Sequence, residues 1–321
     1  MTLRVELEPP LDLPGSLEPF RRWGDDLLDR FDGLRLLRTA PSPGARAGAG
    51  DGSRDVVAFA ARPIGDLTRP ALEVSVGEQE RPDPSGPDRL GTAEAAVRAM
   101  FVLAPALPEL ATHDPIVAAL DRRFPGVRPV LQLDLLPSLV RSISAQQINL
   151  RWATVIRSRI AQAYGEAHPV DGDVVYSLSA ERLAEADAAE LRALQLTGRK
   201  AVSVIACAQA VAGGELSMAG LSSLEDEAVI ERLIVLPGIG RWSAEWFLAR
   251  TLGRPRVVAG DLGVRKAVGL AYGGGAMPSE EEVRQLTAHW GEAAGVAQQL
   301  LLHALSEGEL QEVLAAARSM E

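Results

Sequence analysis

An aspartate, two indoles and a Pro-Gly-x-Gly turn lie close together between Leu236 and Gly269, in LPGIGRWSAEWFLARTLGRPRVVAGDLGVRKAVG. Each suggests a chemistry, and each has a structural counterpart. Gly238 and Gly240 allow a sharp turn and a close approach by something outside the chain. The amides that open the next helix, near Arg241, lack internal partners and their dipole favours an anion, so a phosphate suits that place. A plain helix-helix turn would use the same glycines. Trp242 and Trp246, four positions apart, share one helix face. They can form a stacking surface or pack in a core, and Trp242, in the first turn beside the hairpin, suits stacking better. Asp261 opens a further helix, where the plain reading is an N-cap that accepts from amides two or three positions on.

These groups need rigid elements to hold them. LEDEAVIERLI is an amphipathic helix with Val229, Ile230 and Leu233 on its apolar face; the chain breaks at Leu236–Gly240, and a second helix starts near Arg241. From about Thr92 apolar residues recur every three or four positions, which predicts an all-helical remainder of roughly ten short helices. The N-terminal part differs. LRVELE alternates Leu3, Val5 and Leu7 with charged residues, and DVVAFAA and ALEVSV are β-like runs. Two Gly/Pro-rich stretches, APSPGARAGAGDGS and ERPDPSGPDRLG, separate them, and the first is expected to be mobile. The division is therefore an α+β domain over 1–91 and an all-α domain over 92–321. No solenoid-length repeat is visible.

Composition narrows the functional classes. With 321 residues and 47% hydrophobic content the chain can build real cores. No apolar run is long enough to span a membrane and MTLRVELEPP lacks a signal-peptide pattern, so a cytoplasmic protein is expected. The lone Cys207 cannot form an internal disulfide, rules out a four-cysteine iron–sulfur cluster, and reads as a small buried side chain. His113, His168, His289 and His303 have no metal-binding spacing. A net charge of −10 argues against nucleic acid until its distribution is considered. Between Arg122 and Gly165 seven arginines face Asp134 alone, and between Arg241 and Lys266 six basic residues face Glu245 and Asp261. Segregated charge can present one basic face on an acidic protein.

The string from Leu236 to Trp242, followed by Asp261, resembles the helix-hairpin-helix DNA glycosylase superfamily. Arg-Trp after the hairpin is similar to its 3-methyladenine DNA glycosylase II branch. LLPSLVRSISAQQINLRWATVIRSRI resembles the helix pair that carries that family's minor-groove wedge, and the likeness runs from about Ala93 to His303. The N-terminal part has the size and β character of the family's accessory sheet domain. The resemblance implies a mostly α, two-lobed helix-hairpin-helix core with an N-terminal antiparallel sheet. It implies a DNA glycosylase of base excision repair that flips alkylated, cationic purines out of duplex DNA and hydrolyses the N-glycosidic bond. A non-catalytic helix-hairpin-helix DNA-binding protein, or a glycosylase for oxidised or deaminated bases, are the alternatives.

Residue by residue, the resemblance makes Asp261 the catalytic aspartate and Trp242, Trp246 and Trp290 walls of the base pocket. It makes Gln147 the wedge. Amides near Gly238 and Gly240 would hold a DNA phosphate, with Arg241 and Lys200 as further DNA contacts, and the carbonyls of Ile234, Leu236 and Ile239 would hold a structural Na+ or K+. The family usually follows the last tryptophan with proline and arginine, whereas this chain reads WGEAAGVAQQLLLHAL. Relatives that also cleave the strand carry a lysine where Trp242 stands, and this chain has only Lys200 and Lys266. A monofunctional, monomeric enzyme without a required cofactor or iron–sulfur cluster, acting on damaged duplex DNA and not on membranes, is the expectation.

Overall fold

The computed structural model describes residues 2–42, 56–77 and 88–319, and most of both Gly/Pro-rich linkers lies outside the described residues. Five strands, β1 (Thr2–Glu6), β2 (Arg30–Phe31), β3 (Leu36–Pro41), β4 (Val56–Asp66) and β5 (Arg69–Val76), form an antiparallel sheet in the order β1-β5-β4-β3-β2. Asp66 closes the β4–β5 turn: its Oδ1 accepts from the amides of Thr68 and Arg69, which sets Asp66 opposite Arg69. Period-two alternation then sorts the side chains. Val57, Phe59 and Ala61, with Leu72 and Val74, face the Arg89–Ala99 helix and its Ala93 and Val97. The core beneath the sheet also takes in Met100, Phe101 and Val130, so it reaches past residue 91.

Ala58 and Ala60 point the other way and meet Val170 and Val175. Those two valines belong to a hairpin of β6 (Gly165–Val170) and β7 (Asp173–Leu178). The expectation of an all-helical remainder is thereby corrected. The signal was present as Asp171-Gly172, which join Val170 to Asp173 with both φ angles positive, +52° and +77°. That is the Asp-Gly turn of a two-residue hairpin, flanked by β-branched valines. Among the described residues, fourteen α-helices begin after residue 92, more than expected because several are one or two turns long.

The helices form two lobes with separate cores. One is built from Leu135–Ala145, Leu150–Tyr164, Gly198–Ala212, Asp226–Ile234 and Arg241–Arg250. The other is built from Leu107–His113, Pro115–Arg123, Leu262–Tyr272, Ala294–Glu307 and Leu310–Arg318. A buried ionic cluster ties the sheet domain to the first lobe. Asp26, from the segment before β2, pairs with Arg141 at 2.8 Å and Arg157 at 2.9 Å, while Asp29 pairs with Arg38 and Arg141.

Candidate active site

A cleft of about 1290 Å³ is lined by side chains of both lobes and of the N-terminal segment. Val229, Ile230 and Leu233 bury the apolar face of the Asp226–Ile234 helix, which ends where Leu236–Gly240 turns the chain into the Arg241–Arg250 helix. Gly238 takes φ +76°, a left-handed conformation suited to glycine. It also sits tight against its neighbour: a Cβ there would lie 2.0 Å from Ser203 Oγ. Gly240 is different. Its backbone is extended and a Cβ would meet nothing within 4 Å. The need for glycine at Gly238 is internal, whereas Gly240 leaves open space before the free amides of the next helix.

That helix then lays three groups into the cleft on one face, Trp242, Trp246 and Arg250, each four positions from the last. Both indoles are half-buried, so they are wall rather than core. Asp261 lines the same cleft. It caps the Leu262–Tyr272 helix, with Oδ1 accepting from the Val264 amide at 3.0 Å. Its Oδ2 accepts no hydrogen bond among the described residues. Capping and an open carboxylate oxygen therefore coexist. The segment ahead of Asp261 is fixed from below: the buried Gln298 accepts from the Val258 amide at 2.7 Å, and Asp261's own amide donates to the Val258 carbonyl at 2.9 Å.

Arg250 was missed in the sequence, although its place eight positions after Trp242 is the helical continuation of the same face. Its Nη1 donates to Gln299 Oε1 at 2.7 Å. Burial pushes the guanidinium down to about 10, opposed by the nearby Asp261 carboxylate. Gln298 and Gln299 show how the Ala294–Glu307 helix supports the site without the family's basic residue. Phe20 and Trp23, from the N-terminal domain, also line the cleft; nothing in their local sequence signalled it, because the approach is purely tertiary.

Two expected site residues are placed elsewhere, and a third is ion-paired at the hairpin. Trp290 is 2% exposed within the second lobe's core, packed edge-on to Tyr272 and His289. Gly291, which follows it where the resemblance led to proline, takes φ +47°, a conformation closed to proline. Lys200 is buried, its Nζ donating to the carbonyls of Ser144 and Gln146 at 3.0 and 2.6 Å. Its ammonium is occupied inside the protein. Arg241 pairs with Glu227 and with the buried Glu245.

The basic face is likewise corrected. Glu245 also meets Arg256 and Arg284, Arg254 meets Asp226, and Arg141 and Arg157 lie in the cluster with Asp26. Many of the arginines counted in the two basic stretches are thus neutralised by acids distant in sequence. Gln147 is exposed at the rim of the cleft with φ +55°, a strained conformation for a side chain with a Cβ. Ile234 is exposed at the end of its helix, Ile239 is buried, and Leu236 accepts the Ile239 amide at 3.1 Å within the turn. Cys207 is buried, which pushes its thiol up to about 12 and leaves it inert.

This hairpin and its following aspartate, set between two helical lobes, define a class: residues 140–293 match the family model described as HhH-GPD superfamily base excision DNA repair protein, and the chain carries an HhH-GPD superfamily domain. The chain is 27% identical over 57% of its length to a DNA-3-methyladenine glycosylase of Bacillus subtilis, covering 61% of that relative. It is 32% identical to DNA-3-methyladenine glycosylase 2 of Escherichia coli over 44% of its own length and 51% of the relative's. The matched stretch thus spans less than two thirds of these curated relatives. Among solved structures, the 3-methyladenine DNA-glycosylase of Archaeoglobus fulgidus superposes with a TM-score of 0.77 at 22% identity, covering 95% of this chain and 98% of that one. The 8-oxoguanine glycosylase/lyase of Clostridium acetobutylicum, with DNA, gives 0.68 at 17% identity, covering 94% and 93%. These two share the fold, sheet domain included.

Proposed function

We propose that this protein is a monofunctional DNA N-glycosylase that removes alkylated, cationic purines such as 3-methyladenine and 7-methylguanine from duplex DNA. The observation that carries the reading is one cleft lined together by Asp261, with an open carboxylate oxygen, and by the half-buried indoles of Trp242 and Trp246 beside the hairpin. The hairpin grips a backbone phosphate through amides near Gly238 and Gly240, those that open the Arg241–Arg250 helix. The damaged nucleotide leaves the stack at a cost of a few kcal/mol, least for weakened pairs, and Gln147 enters the space left behind. Alkylation makes the base cationic and a good leaving group. A cation over an indole gains about 0.5–2 kcal/mol, so the tryptophans select electron-poor bases without a hydrogen-bond code.

As the glycosidic bond breaks, C1′ gains positive charge. Asp261 stabilises that charge through its open oxygen and orients the attacking water. Neither lysine can attack C1′: Lys200 is engaged with Ser144 and Gln146, and Lys266 is not among the cleft residues. No Schiff base forms and the strand stays intact. The carbonyls of Ile234, Leu236 and Ile239, at and just after a helix C-terminus that carries partial negative charge, would hold a monovalent cation. When bound, it would hold the hairpin's shape and add positive charge near the phosphate.

The direct test is chromatographic analysis of bases freed from methylated duplex DNA, with borohydride added in parallel. Free 3-methyladenine and 7-methylguanine with no trapped protein–DNA adduct are expected. DNA binding without base release would favour a non-catalytic binding protein, and a trapped adduct would overturn the monofunctional assignment.

A further inference from the structure

The loop that carries Gln147 is pinned on both sides of that residue. Lys200 Nζ donates to the Ser144 and Gln146 carbonyls at the C-terminus of the Leu135–Ala145 helix, at 3.0 and 2.6 Å. Arg157 Nη1 donates to Ser144 Oγ at 3.2 Å. Asn149 caps the following helix by accepting from the Trp152 amide at 2.8 Å. Gln146 reaches furthest, its Nε2 donating to the Gly238 carbonyl at 3.0 Å and to Ser243 Oγ at 3.1 Å. One side-chain amide therefore joins the wedge loop to the apex of the hairpin and the first turn of the helix after it. Between these anchors Gln147 alone is exposed in the left-handed region. Such strain persists only where the surroundings hold it.

We infer that Gln146 and Lys200 are positioning residues, Gln146 fastening the wedge loop to the hairpin and Lys200 fastening it to the Gly198–Ala212 helix, so that the phosphate grip and the wedge form one rigid unit before DNA arrives. The physical basis is preorganisation: a loop ordered only on binding would spend interaction energy on its own ordering. Lys200 is well chosen for it. Its ammonium offers three donors to carbonyls that the helix leaves unpaired, at the end of the helix that favours a cation. The role differs from pocket chemistry because it concerns opening the duplex, not breaking the bond. Its absence is felt most where a base must be pulled from a stable pair.

This inference rests on the glycosylase reading, and its test separates the two. Gln146→Ala and Lys200→Met are compared with the native protein in single-turnover release of a methylated purine, held in a Watson–Crick pair or placed opposite an abasic analogue. Duplex opening is followed in parallel by the fluorescence of 2-aminopurine next to the lesion. Gln146→Ala, checked for folding by circular dichroism, removes the tie to the hairpin and leaves Lys200 in place. Release from the paired lesion is expected to fall about tenfold further than release from the unpaired one, the scale of one or two lost hydrogen bonds, and the fluorescence rise is expected to weaken. Equal losses on both substrates, or no loss, would overturn the inference. If the native protein opens the duplex but frees no base, a weakened fluorescence rise in Gln146→Ala upholds the positioning role while the glycosylase reading fails. An unchanged rise, or no opening by the native protein, refutes the positioning role.

Discussion

Asp261 spends one oxygen on its own helix and keeps the other for the cleft, so a single side chain is both cap and candidate catalyst. The tryptophans divide differently. Trp242→Ala should weaken release of cationic bases by roughly twofold to thirtyfold, the loss of about 0.5–2 kcal/mol of stacking, with a smaller effect on neutral ones; parallel rate measurements on 7-methylguanine and hypoxanthine check this. Trp290 belongs to the core, and Trp290→Ala should lower stability by about 3–5 kcal/mol in chemical denaturation. A variant as stable as the native protein but unable to bind damaged DNA would return Trp290 to the pocket.

At the scale of elements, the hairpin yields a sharp contrast between its two glycines. Gly238→Ala forces a Cβ into the left-handed region and against Ser203, and should cost about 2 kcal/mol and weaken DNA binding. Gly240→Ala should leave the denaturation midpoint nearly unchanged, since its backbone is ordinary and the space beside it is open. Any loss of DNA affinity in that variant reports on a ligand at the helix start. Much of this was legible in the sequence because it is local: the apolar triplet Val229, Ile230 and Leu233, the Pro-Gly break, the paired indoles and the aspartate cap all follow from spacing. What was not legible is tertiary. The tie of Gln146 to Gly238, the engagement of Lys200, and the pairing of Arg284 with Glu245 join residues far apart in the chain. The β6–β7 hairpin is legible in Asp171-Gly172, but a helical pattern on both sides of it masks so short a signal.

For the whole molecule, the ionic cluster at Asp26 joins the sheet domain to the lobe that carries the wedge. Burial alone would raise the Asp26 carboxyl, but the Arg141 and Arg157 guanidiniums more than offset it and hold the group well below its ordinary 3.8. Asp114 is also lowered: burial is outweighed by hydrogen bonds from Tyr272 and His289. A carboxylate with a depressed folded pKa contributes stability above the unfolded value, and that stability is lost as pH falls toward the folded one. Urea midpoints should therefore hold steady from neutral pH to about 5 and drop below about 4. Asp26→Asn should be less stable at neutral pH by about 3–5 kcal/mol, because it leaves two guanidiniums buried with one carboxylate fewer, and its acid drop should be shallower. A neutral-pH midpoint equal to the native protein's would contradict this view of how the two parts are joined.

The central claim, that Asp261 performs the chemical step in this cleft, is tested most directly by measuring base release and DNA affinity together for the native protein and Asp261→Asn. The asparagine keeps the cap and removes the charge. Release is expected to fall on the order of 100-fold or more, the scale for losing an electrostatic stabiliser of a transition state, while affinity for an abasic-site duplex stays within about threefold, less than one hydrogen bond is worth. Release that survives the substitution would contradict the account, because the Asp261 charge would then play no part in breaking the bond.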